Sequence, residues 1–168
     1  MNQVRGNCGA ARRNFDAVIG GPAMHIGLCT EPECIAEIVY LPRSRAVIAP
    51  RNRLAERAAR QIERYLADPD AGFDFPLAEA GTDFQRRVWQ AMRGIARGRT
   101  QTYGEMARVL GSAPRAVGQA CGANPFPIVI PCHRVVAAGG LGGFSHASKG
   151  FLIEVKRWLL THEHAPLG

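Results

Sequence analysis

Three prolines fall within seven residues, at Pro125, Pro127 and Pro131, and the side chains between them are Phe126, Ile128, Val129 and Ile130. Each proline removes a backbone donor, fixes its own φ and restricts the residue before it. A helix is therefore forbidden here and ladder pairing is limited. The segment is also apolar, so it has to be buried as stiff, irregular chain. It ends at Cys132-His133-Arg134-Val135-Val136. A cysteine beside a histidine is a candidate nucleophile, because the thiolate is the reactive form and an imidazole can take the thiol proton. Adjacent residues of an extended chain point to opposite faces, so His133 is expected to reach Cys132 only through a turn or a bridging water. Taken as bare chemistry, a buried Cys of this kind is more often structural than catalytic.

The chain around this segment divides into two halves. In the first, residues 15–19 read as a short strand, and residues 24–29 and 35–41 read as a hairpin around Thr30-Glu31-Pro32-Glu33. Leu54, Ala58, Ile62, Tyr65 and Leu66 recur at helical spacing over residues 52–67, and Asp68-Pro69-Asp70-Ala71-Gly72 stops that helix. Residues 73–77 read as a crossover. The second half opens on Thr82-x-x-Gln85 and repeats the signal at Thr102-x-x-Glu105, both of the capping-box form. Phe84, Val88, Met92 and Ile95 make one apolar face; Met106 and Leu110 make another, ending at Gly111. Ser112 is expected to cap a third helix running through Arg115 to Gly122. Two short helices around a glycine turn form a helix-turn-helix. The second of them carries small residues at Ala116, Gly118, Ala120 and Gly122, with Arg115 its one long cation. A helix that reads major-groove edges carries several Arg, Asn or Gln side chains. This one suits close backbone approach and sequence-tolerant binding on the minor-groove side.

Charge follows the same division. Of the net +7, residues 1–78 hold 10 Arg against 9 Asp and Glu, and residues 79–168 hold 11 Lys and Arg against 5 Asp and Glu. A polyanion is drawn to the second half. No apolar run approaches the roughly 18 residues of a membrane span, and the first eight residues hold no apolar signal core. Five cysteines, an odd number, argue against a disulfide framework. The expectation is a cytoplasmic monomer with at least one functional thiol and no membrane contact.

Pro131-Cys132-His133-Arg134-Val135 resembles the acceptor motif of the O6-alkylguanine-DNA alkyltransferases. The likeness extends in order through Thr102-Tyr103-Gly104-Glu105, Arg115-Ala116-Val117-Gly118, Asn124-Pro125-x-Pro127-Ile128 and Lys156-Arg157-Trp158-Leu159-Leu160-x-His162-Glu163. It is strong from Thr82 to Glu163 and weaker over residues 1–78. The resemblance implies an α/β N-terminal domain at 1–78, a ribonuclease-H-like sheet plus helix with a loose tail at 1–14. A mostly α C-terminal domain with the helix-turn-helix follows at 79–168. It implies a single-turnover protein that flips O6-alkylguanine out of duplex DNA and takes the alkyl group on Cys132, with a water, His133 and Glu163 in line behind the thiol. Tyr103, Asn124, Val135, Phe144 and Ser145 would then meet the substrate. Tyr103, Arg115, Ala116, Gly118, Gln119 and Gly122 would meet DNA, Arg115 filling the gap left by the flipped base.

The chain departs from that pattern after Phe144-Ser145. The family's glycine pair is replaced by His146-Ala147-Ser148-Lys149-Gly150, which inserts residues before the last helix, expected over 151–163. The width of the pocket mouth is thereby left open. Cys8, His25, Cys29 and Cys34 raise a structural zinc, but Cys29-x4-Cys34 straddles the hairpin turn and is not a usual ligand pair. No metal or cofactor is expected. Three other readings compete: a non-catalytic relative that binds alkylated DNA and signals to other repair factors, a Cys–His hydrolase, and a plain helix-turn-helix regulator. The presence of Cys132, the lack of a glycine-rich oxyanion turn beside it, and the few base-reading side chains on the second helix argue against each in turn.

Overall fold

The computed structural model describes residues 14–167; most of the expected tail, and Cys8 with it, lies outside them. The chain folds as an α/β protein in two compact units, Met1–Glu79 and Ala80–Gly168.

The first unit is an antiparallel meander of β1 (Ala17–Gly20), β2 (His25–Thr30) and β3 (Ile35–Leu41), in that order. Gly27 pairs with Val18 on one side and Val39 on the other. The first strand begins two residues later than expected, and Asp16 turns its backbone carbonyl to the Arg51 N–H at 2.9 Å. Its carboxylate accepts the Thr30 backbone N–H at 2.8 Å and the Thr30 hydroxyl at 2.9 Å, which fastens the strand entry to the hairpin end. Helix α1 (Arg53–Ala67) starts at an Asn52 cap, whose side chain accepts from the Ala55 N–H at 2.8 Å. It buries Ala55, Ala58, Ala59, Ile62 and Tyr65, and the three alanines let it lie close on the sheet. The expected crossover at 73–77 pairs instead with the edge of β3. The Ile35 N–H donates to Pro76 O at 2.8 Å, and the Ala78 N–H donates to Ile35 O at 2.9 Å.

The second unit holds α2 (Asp83–Arg93), β4 (Gln101–Thr102), α3 (Tyr103–Leu110), α4 (Pro114–Gly122), a 3-10 turn (Cys132–Arg134), β5 (Val135–Val136) and α5 (Phe151–His162). Both capping boxes form as read, at Thr82 with Gln85 and at Thr102 with Glu105. Helix α2 turns Val88, Trp89 and Met92 inward, and the Trp89 indole N–H donates to Ala120 O at 2.8 Å, tying α2 to α4. Gly81, with φ 82°, lies where a side chain would strike the Trp89 ring at 2.6 Å.

Ser112 does not cap α4. Gly111 takes the left-handed conformation at φ 61°, and the Ser112 N–H turns back to Ala107 O at 2.8 Å. Its backbone is thus consumed in closing α3, in the 6→1 manner of a Schellman stop. Helix α4 starts after Ala113 with Pro114 in its first turn and no side-chain cap. A two-residue parallel ladder, absent from the sequence reading, pairs Gln101 with Val135 and Thr102 with Val136. It sets the start of α3 beside the chain that leaves Cys132. No helix among the described residues is long and apolar enough to cross a membrane.

Candidate active site

The proline segment enters the site through a brace. The Asn124 amide donates to Ile130 O at 2.8 Å, while its carbonyl accepts the Phe126 N–H at 2.9 Å. Between these anchors Ile128 is held at φ 73°, a conformation rare for a β-branched residue. After Pro131 the chain bends. Cys132, His133 and Arg134 form a 3-10 turn, closed by the Val135 N–H donating to Cys132 O. This turn resolves the orientation problem of an extended Cys-His pair, and both side chains are buried.

Behind the turn, His133 Nε2 lies 3.0 Å from Glu163 Oε1 with both side chains fully shielded from solvent. Glu163 is the residue that follows the last turn of α5. Its carboxylate is also gripped by Arg134, whose Nε donates to Oε2 at 2.9 Å and whose Nη2 donates to Oε1 at 2.9 Å. The remaining guanidinium nitrogen, Nη1, donates to Ile95 O at 2.6 Å. Two donors thus orient the carboxylate, and the carboxylate orients the imidazole. His133 Nδ1 is buried without a protein hydrogen-bond partner among the described residues.

Burial pushes the Cys132 thiol above its ordinary pKa; a hydrogen bond from the Asn124 side chain and the Lys156 charge oppose that rise. Burial likewise pulls the His133 imidazole down, against the hydrogen bond and charge of Glu163. Both directions favour the uncharged forms, a neutral thiol beside a neutral imidazole.

Cys132 forms the floor of a cleft of about 450 Å³. One wall is the face of α4 that carries Arg115, Gly118, Gln119 and Gly122, at i, i+3, i+4 and i+7. The other is the loop from Gly143 to Ser148, and Tyr103 and Cys121 also line the cleft. The Tyr103 hydroxyl donates to Gly143 O at 3.1 Å, and burial raises its pKa. Asn124, Val135 and Ala116, expected at the substrate or DNA, are not among the cleft's walls. Asn124 acts on the thiol and its loop, and Val135 is buried in β5 with its carbonyl turned to Lys156.

Lys156 was not singled out from sequence. It is wholly buried and donates to Val135 O at 2.7 Å, Leu141 O at 2.8 Å and Gly143 O at 2.9 Å. Its ammonium lies 5.8 Å from the ring centroids of both Tyr103 and Phe144. The position was legible in principle, since Ile153, Lys156 and Leu160 share one apolar face of α5 at spacings of three and four.

His25 contacts Arg45 O at 2.8 Å through Nδ1, Cys34 faces Glu31, and Cys29 is packed with Phe15, Val18 and Leu41. Among the described residues no three His, Cys, Asp or Glu side chains gather as metal ligands would.

Residues 83–165 match the family described as 6-O-methylguanine DNA methyltransferase, DNA binding domain. A methylated-DNA–protein-cysteine methyltransferase of Methanosarcina acetivorans is 35% identical over 157 residues, covering 89% of this chain and 97% of that protein. The chain belongs to the methylated-DNA–protein-cysteine methyltransferase family. The constitutive methyltransferase of Bacillus subtilis is 42% identical over 110 residues, 62% of this chain and 66% of that one. The O6-methylguanine methyltransferase of Mycobacterium tuberculosis superposes with a TM-score of 0.72 at 34% identity, over 89% of this chain and 93% of that one. The DNA complex of the same organism's protein gives 0.71 at 36% identity, with the same coverage. In this family member, Arg134 and Lys156 contact Glu163 and the carbonyls around the cleft, without having been given a role by sequence. Both are cations spent on holding protein groups rather than facing solvent.

Proposed function

We propose that this chain repairs O6-alkylguanine in duplex DNA by moving the alkyl group irreversibly to Cys132. The observation that carries the reading is the buried Cys132 at the floor of a base-sized cleft, with His133 and Glu163 locked behind it. Displacement is in line at carbon. The Cys132 S–C bond forms, the alkyl C–O6 bond breaks, and its electron pair stays on the guanine. The thiol proton passes to His133, most simply through a water at Nδ1, and Glu163 stabilises the imidazolium that results. Tyr103 releases Gly143 and gives its proton to the ring nitrogen on which negative charge develops, and the phenolate recovers a proton from solvent as the His133 imidazolium gives up the thiol proton, so that both side chains end neutral. The product is a thioether and a restored guanine. No step regenerates the thiol, so each molecule acts once.

The substituent is out of reach inside a stacked duplex, so the nucleotide has to be extruded. We read α3, the Gly111 turn and α4 as a helix-turn-helix. Exposed Arg115 at the start of α4 would fill the vacated stack, while Ala116 and Gly118 allow close backbone approach and Gln119 reaches the rim; Gly122, expected to do the same, is covered by the His146 ring. The second unit is then the DNA-binding and acceptor domain, and the meander with α1 corresponds to a ribonuclease-H-like element. The thiols of Cys34, Cys121 and Cys132 suit work in the reducing cytoplasm, and a cleft that takes a single lesion suits a monomer.

The test is an intact-mass measurement after incubation with a duplex containing O6-methylguanine. One methyl should be added per molecule, mapped to Cys132, with the DNA restored in equal amount. A Cys132→Ala protein that still restores guanine would sink the assignment.

A further inference from the structure

Phe144 and Ala147 exchange backbone hydrogen bonds, each N–H donating to the other's carbonyl at 2.8 Å. The two residues between them, Ser145 and His146, have φ of 48° and 64°. This is a two-residue turn with both central residues left-handed, a geometry that Asn and Gly normally occupy. Side chains held there persist when surrounding contacts require them, and such strain gathers at ligand-facing segments.

The contact that holds this turn is with α4. The His146 ring lies flat against Gly122, its Cε1, Nδ1 and Nε2 at 2.4, 2.6 and 2.7 Å from where a Cβ of residue 122 would stand. Gly118, one turn earlier on the same face, is different, since a Cβ there would only graze the Tyr103 ring at 4.0 Å. Of these two glycines, Gly122 is the one whose missing side chain is filled, and His146 fills it. Both residues line the cleft above Cys132. The imidazole therefore spans from the loop to the helix and takes up space between the cleft's two walls.

We infer that His146, seated on Gly122, is the size filter of this protein, restricting the O6 substituent to small alkyl groups. The inference rests on the repair reading above and adds its substrate range. A benzyl-sized group needs room that the ring occupies; a methyl group does not. The inserted loop residues thus narrow the entrance rather than merely lengthening the connection to α5.

Single-turnover transfer is measured from the same duplex carrying either O6-methylguanine or O6-benzylguanine, and the readout is the benzyl-to-methyl rate ratio. For His146→Gly this ratio should rise about tenfold or more, the scale on which apolar pockets discriminate by size. An unchanged ratio, including one in which both rates fall together, overturns the filter. Gly122→Ala gives an independent arm. Its added Cβ evicts the ring, so it should raise the ratio in the native chain and leave it unaltered in the His146→Gly background. An equal effect in both backgrounds would also overturn the filter. Failure of the native protein to methylate Cys132 would overturn the repair reading itself, and the filter with it.

Discussion

Replacing Lys156 by Met keeps most of the side chain's length and removes the ammonium. Three carbonyls, the buried one of Val135 and the part-buried ones of Leu141 and Gly143, then lose their donor. Hydrogen bonds from a charged group contribute about 1.5–3 kcal/mol each, so roughly 5–9 kcal/mol for the three. Against this stands the cost of burying the charge. Burial lowers the Lys156 pKa from 10.5 to about 8, which at about 1.4 kcal/mol per unit is a penalty of about 3 kcal/mol at neutral pH. The net loss on substitution is therefore about 2–6 kcal/mol, read as a fall in urea-unfolding free energy at pH 7. The same shift predicts a pH signature. The folded state releases the Lys156 proton near pH 8 and the unfolded state near 10.5. Between them the unfolded chain holds more protons, and this group's contribution to stability rises with pH. The stability gap between native and Lys156→Met proteins should thus widen from pH 8 to 10.5. A loss below about 1 kcal/mol at pH 7, or a gap that narrows over that range, would refute the reasoning.

Arg134→Gln should destabilise by about 3–5 kcal/mol, because it strips the bidentate partner from a buried carboxylate. Chemical denaturation measures it, and a variant of near-native stability would show that Glu163 does not depend on Arg134. The acid limb of the single-turnover rate tests His133. Its pKa is lowered by burial, so the neutral base persists below pH 6.5 and the rate should hold through that pH. A rate halved at pH 6.5 or above would contradict the buried neutral imidazole, and one rising tenfold per unit from pH 6 to 8 would point to a preformed thiolate instead.

Local chemistry made much of the fold legible. Thr82 with Gln85 and Thr102 with Glu105 announce helix starts by a pattern complete within four residues, and Asn52 does the same by its side chain alone. Chain ends defined by competition were less legible. Ser112 has the right side chain for a cap, but its backbone N–H is already committed to Ala107, and only the left-handed Gly111 decides that. Pairings distant in sequence were invisible. The ladder of Gln101 with Val135 joins two stretches too short to carry periodicity, although it places Tyr103 by the thiol. At the site, Cys132, His133 and Glu163 were reached through motif order. Arg134 and Lys156 stand within the quoted motifs without a role, since long cations ordinarily face water, and nothing in composition says that a carboxylate or three carbonyls await them inside.

Those two inward-turned cations bear on why the proposed chemistry is confined to one substrate. A surface thiol of low pKa would react with any electrophile, and a protein that acts once would be consumed without repairing anything. Here burial holds Cys132 and His133 neutral. The groups favouring the charged states, Asn124 and Lys156 at the thiol and Glu163 at the imidazole, are themselves fixed by Ile130, by three carbonyls and by Arg134. Such fixed dipoles need no reorganisation when charge develops. They are of use only to an alkyl carbon already placed over the sulfur in the cleft. In the proposed reaction, reactivity is thereby made conditional on delivery of the base, and the filter inferred at His146 acts on that delivery.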